Sequence, residues 1–482
     1  MLRNFAAERD LVKESFVRWL EEGDTARRRA YQTYRNYYEG EHDTELTDRM
    51  REFLSLDGDA EFNLNFVPVP VDVVAERLNV IAFDVKDGMG EATDEGQQQL
   101  GGDDGLLWEW WTRNRMDAQQ KNTHLAAERD GDSYIIVEWD NEAEIPRFTF
   151  ELAHDGYSGV DVFYSDERPN EVEYAVKHWR TETGEGAGST RRANVYLPGE
   201  IRKYISDGGS SAWSRHMDED DGAWPLPWVD GNGEPLGVPV THFGCNRRGY
   251  DYGKSGIKDI ISIQRALNKA VIDALATADV SGFPMLTLTG GEPGDVTVAP
   301  GQILYTESEA ARWGSIGQGD LMALMQFVSH WVMLIAQASR TPLAYFQVTG
   351  QVASSETQKA DDTALVSKVE DRAVDYGNAW ENVMVMAVKL ANTFGGMRLN
   401  EDLLIETVWD SFERVDKDAT QLRQAEILQM LGSVPGVDLA GVARWLGIPD
   451  GDIEEMFGPG RVLRPQDMVD AMAQFGNGDE AV

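Results

Sequence analysis

The chain has 482 residues, and 83 Asp and Glu against 44 Lys and Arg give it a net charge of −39, which excludes tight, non-specific binding of nucleic acid through a basic face. Its single cysteine, Cys245, excludes an intrachain disulfide framework and a zinc site of several cysteines. The charged amino terminus excludes a signal peptide, and no run approaches the ~18 apolar residues of a membrane span, so we expect a soluble protein without a membrane, made in a reducing cytoplasm.

The first part of the chain predicts helices separated by acidic segments. Residues 1–56 carry aromatic residues at helical spacing, which predicts helix. The segment 65–83 begins extended at its two prolines and then places apolar residues on one helical face. Residues 84–105 are acidic and Gly-rich, which predicts a surface loop, and residues 106–129 predict a further helix.

The pattern then changes to short strands separated by Asp, Gly and Pro turns. Several of these strands alternate apolar and polar residues, as expected for an antiparallel sheet with one wet face. An irregular loop with three tryptophans is expected at 206–236. The predicted strands lie at 133–139, 147–152, 160–164, 172–179 and 193–197.

The centre of the chain predicts two long helices that flank an insert. Ser255 can cap the first helix, which runs to residue 280 with a broad apolar stripe, and Pro342 stops the second, which occupies 319–340. The insert at 281–318 contains two β-like pieces around a Gly/Pro turn signal. These pieces lie at 284–289 and 302–306.

A polar loop at 341–354 leads into a third helix with the cleanest period in the chain. Ser355 and Gln358 form a capping box at its start, and the apolar period continues to about Phe394. A strand is predicted at 403–412, and short helices and an acidic tail complete the chain.

The scarcity of Lys suggests a second reading of the acidic charge. Only 12 of the 44 basic residues are Lys. Abundant acid with few Lys residues is typical of a protein from a salt-loving (halophilic) host, because charge repulsion is screened within about 3 Å at 1 M salt. An acidic protein from an ordinary host is the alternative.

One segment imitates a phosphate-binding loop. In GYDYGKSG at 249–256, Lys254 would cradle phosphates and Ser255 would bind magnesium. Only three residues separate the two glycines where the motif needs four, and the acidic Asp251 would oppose phosphate. We therefore favour a helix start capped by Ser255, and an ATPase remains the alternative.

Other candidate chemistry is weak. His124 and Glu128 lie four residues apart on a predicted helix, but two ligands do not make a zinc site, and a surface ion pair is favoured. Cys245 precedes two arginines that could lower its pKa, although an incidental buried thiol is the preferred interpretation. The chain shows no nucleophile elbow. We predict no catalytic residue, no metal and no cofactor.

The order of these elements resembles the portal proteins of tailed double-stranded DNA viruses, most closely the branch of long-tailed phages, over roughly residues 20–450. Each matching segment alone is moderately specific, and their order and spacing carry the resemblance. The segments are YYEGEH (37–42), NFVPVPVDVVAERLNVIAF (65–83), NRRGYDYGKSGIKDIISIQRALNKAVID (246–273), SRTPLAYF (339–346) and SSETQKADDTALVSKVEDRAVDYGNAWE (354–381).

The resemblance implies an α+β, mostly α, portal fold and a homo-oligomeric ring of about twelve subunits. Each part of such a fold corresponds to a segment of this chain. The expected parts are a wing of N-terminal helices and mostly antiparallel sheet at 1–243, a first stem helix at 244–280, a β-containing clip at 281–318, a second stem helix at 319–340, a tunnel loop at 341–354, a long helix with a returning wing strand at 355–415, crown helices at 416–474 and a flexible tail at 475–482.

The resemblance also implies a non-enzymatic function at one vertex of the virion. Such a head–tail connector conducts double-stranded DNA during packaging and ejection, and it docks the terminase packaging motor and the head–tail adaptor. Major capsid and scaffolding proteins are further expected partners, with assembly in the host cytoplasm. Another capsid-associated structural protein, such as an adaptor, is the alternative.

Three groups of site residues follow from the resemblance. The loop is expected to face DNA, the clip is expected to dock the motor and adaptor, and basic residues of the long helix could touch the DNA backbone or simply form a solvated or intersubunit face. The loop residues are Phe346, Gln347, Val348, Thr349, Gly350 and Gln351; the clip residues are Leu286, Thr287, Leu288, Ile303, Leu304 and Tyr305; the basic residues are Lys359, Lys368 and Arg372.

Overall fold

The chain divides into two units, Met1–Phe412 and Glu413–Val482, and every residue that the structure describes lies in the first. The predicted crown helices and tail therefore lie outside the described residues. The structure is a computed structural model, and it describes residues 25–42, 64–86, 105–165, 167–168, 171–182, 189–207, 213–218, 221–247, 249, 252–282, 286–289, 312–315, 321–346, 355–401 and 404–412.

Seven α-helices lie in the described part of this unit. The predicted helices that fall on described residues are confirmed in outline, although the predicted helix at 106–129 is split at Arg115, whose φ of 54° lies in the left-handed region. The helices are α1 (Thr25–Glu39), α2 (Val69–Arg77), α3 (Leu106–Arg113), α4 (Met116–Asp130), α5 (Ile261–Gly282), α6 (Leu321–Ser339) and α7 (Ser355–Thr393), with a 3₁₀ turn at Leu343–Tyr345.

The described strands form four antiparallel groups. The strands β4-β5-β6-β7-β8 make the largest sheet, with β9 paired to β7; β10-β2-β3 make a second sheet; β1 pairs with β13, and β11 with β12. Their bounds are β1 (Val80–Lys86), β2 (Asp132–Asp140), β3 (Ile145–Leu152), β4 (Gly159–Tyr164), β5 (Val172–Glu182), β6 (Ser189–Leu197), β7 (Glu200–Asp207), β8 (Ser214–Arg215), β9 (Leu226–Pro227), β10 (Val240–Gly244), β11 (Leu286–Thr289), β12 (Arg312–Ser315) and β13 (Leu404–Trp409).

All five strands predicted between residues 133 and 197 are confirmed, as is the strand near 403–412. Sequence reasoning missed β1, because its residues continue the apolar pattern of the preceding helix. It also missed β7, whose carboxyl end overlaps the stretch expected to be an irregular loop. The mixed helical and sheet class is therefore correct.

The long helix α7 is the central rod of the main core. Its apolar positions recur every three or four residues and pack against the sheet β10-β2-β3 and against α2 and β13. The predicted stripe is confirmed, since all of its members are buried. They are Leu365, Val369, Ala373, Tyr376, Trp380, Val383, Ala387 and Ala391.

Aromatic rings surround the middle of α7. The ring of Trp380 lies 4.9 Å from that of Trp111 and 4.6 Å from that of Phe243, in edge-to-face arrangements. Its indole Nε1 donates a hydrogen bond of 2.9 Å to His124 Nε2. The other ring nitrogen of His124, Nδ1, lies 3.2 Å from the carbonyl oxygen of Leu78. This geometry requires a neutral imidazole that donates from Nδ1 and accepts at Nε2.

The predicted surface ion pair of His124 and Glu128 is wrong, because both side chains are fully buried on the inner face of α4. Burial lowers the pKa of His124 to about 3, although the Leu78 carbonyl and the Glu128 charge oppose the shift. The folded protein therefore resists protonation of His124 over a range in which the unfolded chain accepts a proton.

We predict an acid-sensitive stability from this histidine. Between pH 6.5 and 3 the unfolded chain binds a proton that folded His124 refuses, so stability is lost as the pH falls, by about 1.4 kcal/mol per pH unit. Urea unfolding at pH 7 and pH 5 should show a contribution of about 2 kcal/mol from His124. Buried His178 and His242, whose pKa values are also lowered by burial, should add to the loss.

His124→Gln should reduce the difference in unfolding free energy between the two pH values, because Gln does not titrate. The control is His216→Gln, since His216 lies nearer the surface, and this variant should keep the wild-type difference. Equal pH dependence in wild type and His124→Gln would contradict the assignment.

Candidate functional site

The candidate site is a helix pair with its connecting hairpin and the loop that follows it. Helices α5 and α6 pack against each other. The first half of α5 and the second half of α6 contribute to one apolar core. This core also contains residues of α1 and of the segment before α2. Its buried members are Tyr37, Val67, Val71, Ile257, Ile260, Leu267, Val332, Ile335, Ala336 and Phe346.

The first helix of the pair begins later than predicted. Ser255 does not open α5, which starts at Ile261, and the predicted helix over 244–280 is wrong before that residue. The Ser255 hydroxyl donates a hydrogen bond of 2.6 Å to the Arg129 carbonyl oxygen and accepts one of 3.2 Å from the Ile257 amide. The intervening residues form turns because Ile257 and Ile260 are drawn into the shared core.

Two buried amide side chains attach α5 to the rest of the fold. Gln264 accepts a hydrogen bond from the Phe66 amide and donates one to the Leu64 carbonyl. Asn268 accepts a hydrogen bond of 3.2 Å from the Leu64 amide, and its Nδ2 lies 2.7 Å from His42 Nδ1. These side chains satisfy the extended backbone before α2 as a neighbouring strand would, so they fix where α5 leaves the core.

The segment resembling a phosphate loop has a structural role. The Gly253 amide donates to Asp132 Oδ1 at 2.7 Å, and a Cβ at Gly253 would lie 1.9 Å from the Gly131 carbonyl oxygen. Lys254 Nζ contacts Asp259 at 2.5 Å. The amide of Gly253, the Lys254 ammonium and the Ser255 hydroxyl are thus already engaged, and the close backbone contact explains why glycine is required at 253.

Helix α6 presents an apolar face to solvent. The exposed fractions of Met322, Met325 and Phe327 are 69%, 55% and 48%. Among the described residues, the segment Met322–Ser339 is long and apolar enough to span a membrane by length and composition. Only 22% of it is buried, so it is not an ordinary core helix. The sequence did not predict this, because polar residues interrupt the segment. An apolar face of this kind marks an interaction surface.

The insert between the two helices contains a short antiparallel hairpin. Strand β11 contains Leu286, Thr287 and Leu288 of the predicted clip residues, and it pairs with β12 from Leu286↔Ser315 to Thr289↔Arg312. The sequence had suggested 302–306 as the second β-like piece, but the partner of β11 is Arg312–Ser315. Ile303, Leu304 and Tyr305 lie outside the described residues.

The first residue of the predicted DNA-facing loop is buried. Phe346 belongs to the core shared by α5 and α6, and its ring centroid lies 5.9 Å from that of Phe66. Phe346 was predicted to face DNA, but its side chain is buried in this structure. An aromatic ring is stabilised more by apolar burial than by exposure to water. The other five predicted loop residues, Gln347, Val348, Thr349, Gly350 and Gln351, lie outside the described residues.

Two of the three basic residues assigned to DNA are also inside the protein. Arg372 Nε forms a buried ion pair with Glu128 Oε1, and Lys368 Nζ lies 3.5 Å from the Ser339 carbonyl oxygen. Both side chains are buried in this structure, so neither is exposed where a ligand could contact it. Lys359 is in α7, but its side chain lies outside the description.

Glu128 is the centre of this buried charge cluster. It also accepts hydrogen bonds from the Tyr376 hydroxyl at 3.1 Å and the Cys245 thiol at 3.4 Å. Burial by itself raises the pKa of Glu128, but Arg372 and Lys368 outweigh it and hold that pKa below its ordinary value. Burial raises the pKa of Cys245, which makes it an inert thiol, as favoured from the sequence.

Among the described residues, three side chains of metal-ligand type meet at a place that the sequence did not reveal. His154, Asp161 and His178 each offer a ligand atom, and these atoms lie within 4.8 Å of one another. They come from different strands and loops, so no spacing in the sequence identifies them. However, Asp161 Oδ1 accepts from Arg27 at 2.9 Å, and Oδ2 accepts from Arg28 at 3.4 Å.

The arginines make this cluster a poor cation site. The pKa of Asp161 is about 2, because His154, Arg27 and Arg28 stabilise the carboxylate against the opposing effect of burial. Its single negative charge is already balanced by two guanidinium groups, so a divalent cation would add to a local excess of positive charge.

In the part of the chain that the structure describes, the groups singled out for chemistry are engaged in packing, and helix α6 leaves an apolar face exposed. The family model described as phage portal protein, SPP1 Gp6-like, matches residues 17–436. The chain therefore belongs to this phage portal protein family.

Curated relatives agree with this assignment. The portal protein of Mycobacterium phage D29 is 27% identical over 366 residues, which cover 70% of this chain and 67% of that protein. The portal protein of Mycobacterium phage L5 is 26% identical over 366 residues, with the same coverage of both chains.

Solved structures similar to this chain include chains from gene transfer agent particles. A chain from the neck of an empty particle, computed with C6 symmetry, has a TM-score of 0.40 and 11% identity, covering 80% of this chain and 89% of that chain. A chain from the virion of a native particle has a TM-score of 0.39 and 11% identity, covering 80% and 88%.

We predict that the Glu128–Arg372 pair holds α7 in place. Arg372→Gln leaves the Glu128 carboxylate buried without its ion-pair partner, which should lower the free energy of unfolding by about 3–5 kcal/mol. Denaturant unfolding of the purified protein measures this loss. The control is Arg113→Gln, which removes an exposed pair with Glu109 one helical turn away and should change stability by about 0.5 kcal/mol or less. Unchanged stability in Arg372→Gln would contradict the buried role.

Proposed function

We propose that this portal family protein forms a closed ring at one vertex of a viral capsid, with an axial channel for double-stranded DNA. The observation that carries this proposal is the exposed apolar face of α6 in an isolated chain. In a ring each subunit contributes two different complementary faces, and every apolar face is covered by the next copy. We propose about twelve subunits per ring, as the resemblance to portal proteins implies.

A neighbouring protein surface suits this face better than a lipid bilayer. The exposed side of α6 also carries Gln326 and His330 between its apolar residues. Hydrocarbon cannot satisfy such polar groups, whereas a protein interface supplies hydrogen-bond partners or bridging water. Leu275 on α5 is also exposed and apolar, which gives the first helix of the pair a further contact for a neighbouring copy.

The hairpin and the loop have separate proposed roles. We assign the hairpin β11–β12 and its insert to docking of the terminase packaging motor and later of the head–tail adaptor. We assign residues 347–351 to the channel, because the chain is anchored on one side by buried Phe346 and on the other by the start of α7. Major capsid and scaffolding proteins are further proposed partners.

We predict that ring assembly depends on the apolar face of α6. The combined substitution Met322→Gln, Met325→Gln and Phe327→Gln should leave a folded monomer, because it removes the apolar contact without touching buried residues. Mass photometry and negative-stain microscopy measure the assembly. Wild-type rings should be favoured in 2 M over 0.1 M NaCl, because salt screens repulsion between copies of charge −39. Such a salt requirement is what a halophilic host would demand.

The matched control is Val374→Gln, since Val374 is an exposed apolar residue on α7, away from the helix pair. This variant should assemble as the wild type does. Rings formed equally well by the triple variant, or binding of the wild type to lipid vesicles in place of assembly, would refute the interface.

We predict that the loop acts on DNA and not on assembly. Deleting residues 347–350 should leave ring formation intact and reduce the DNA packaged or retained, because the contacts with the moving duplex are lost. The measurement is DNA content per particle when the variant is the only portal copy. A deletion of equal length at 184–187, between β5 and β6, is the control and should package normally. Normal DNA content with the 347–350 deletion would show that the loop assignment is wrong.

A further inference from the structure

A small cavity of about 40 Å³ lies beside the strands β5 and β6, close to the histidine cluster described above. It is lined by three arginines, two histidines and three aromatic residues, and none of the described lining residues is a carboxylate. In a protein with 83 acidic and 44 basic residues, such a lining is unusual. The residues that matter here are His154, His178, Arg180, Arg191, Arg192 and Trp213.

The strand register places two of the arginines directly opposite each other. Arg180 of β5 pairs with Arg191 of β6, and like charges in opposed positions destabilise a sheet. Aromatic rings position both guanidinium groups: Arg180 lies 4.9 Å from the ring centre of Tyr157, and Arg191 lies 5.2 Å from that of Trp213. The arrangement concentrates positive charge at the cavity, and an anion would relieve the repulsion.

A hydrogen-bond donor at the cavity points to the same class of ligand. The indole Nε1 of Trp213 is buried and has no acceptor among the described residues. This group is a donor only, so an acceptor is required to satisfy it. Arg191 donates from Nη2 to the Ser206 hydroxyl at 3.3 Å, which orients the arginine side chain beside Trp213.

We propose that this cavity binds one small tetrahedral oxyanion of the phosphate class, held by Arg180, Arg191 and the indole of Trp213. A cavity of about 40 Å³ holds roughly three waters, which suits a single small anion rather than a nucleotide. Planar guanidinium groups with several fixed N–H donors match the oxygens of such an anion. The two arginines on Asp161 disfavour a divalent cation at the neighbouring histidines.

The test is a calorimetric titration of the full-length protein with inorganic phosphate. We expect saturable binding by the wild type, and a rise in Kd of about tenfold or more for Arg191→Gln and for Arg180→Gln, because each loses a charge-assisted hydrogen bond. Arg180 is exposed, so its variant remains informative if Arg191→Gln does not fold. The matched control is Arg168→Gln, an exposed arginine paired with Glu171, which should bind as the wild type does.

Thermal unfolding in phosphate and in chloride at equal ionic strength separates binding from screening. Phosphate should raise Tm more than chloride in the wild type and lose this advantage in Arg180→Gln. Competition by a short DNA duplex would identify a backbone phosphate as the source, and its absence would identify the free ion. No phosphate binding by the wild type, unchanged binding in both arginine variants, or stabilisation by Zn²⁺ in place of phosphate would overturn the proposal.

Discussion

The fold depends on one buried carboxylate, that of Glu128. Its side chain pairs with Arg372 of α7 and accepts from Tyr376 one turn later, while its backbone carbonyl accepts a hydrogen bond of 2.8 Å from the Gly256 amide. An unpaired charge in the interior is strongly destabilising, so α4, α7 and the turn before α5 must come together around this group. Glu128 therefore sets the position of the helix pair relative to the main core.

The contacts around Glu128 also explain why residues 249–256, which resemble a phosphate-binding loop, have a structural role instead. Gly253, Lys254 and Ser255 lie in the turn that Glu128, Gly131 and Cys245 hold by backbone hydrogen bonds. A loop that cradles phosphate needs free amides and space for the anion. Here that space is filled by the neighbouring backbone. The segment thus connects the sheet β10-β2-β3 to the helix pair.

Charge is distributed unequally between the surface and the interior. The chain is strongly acidic, and two of its buried carboxylates are paired with arginines: Glu128 with Arg372, and Asp161 with Arg27 and Arg28. Arginine suits such sites, because it stays charged and presents several donors in fixed geometry. The net charge of −39 repels other polyanions, while the interior arginines contribute to folding.

The sequence by itself determined the class of fold, the helix pair with its insert, five strands of the sheet-rich region and the buried stripe of α7. These follow from local period and turn chemistry, which act over a few residues. It also indicated the family, because several segments occur in a characteristic order. The helix start at Ile261 and the strand pairing of Arg312–Ser315 were not predictable, since each depends on a distant partner.

Tertiary structure alone decided which charged and aromatic side chains are inside. Lys368 and Arg372 look like the solvated edge of a helix until Glu128, 244 residues from Arg372, meets them. Phe346 resembles a loop tip until Phe66 packs against it. Periodicity identifies the apolar face of a helix, but burial of a charge depends on a countercharge from another element. That partner becomes known only when the chain has folded.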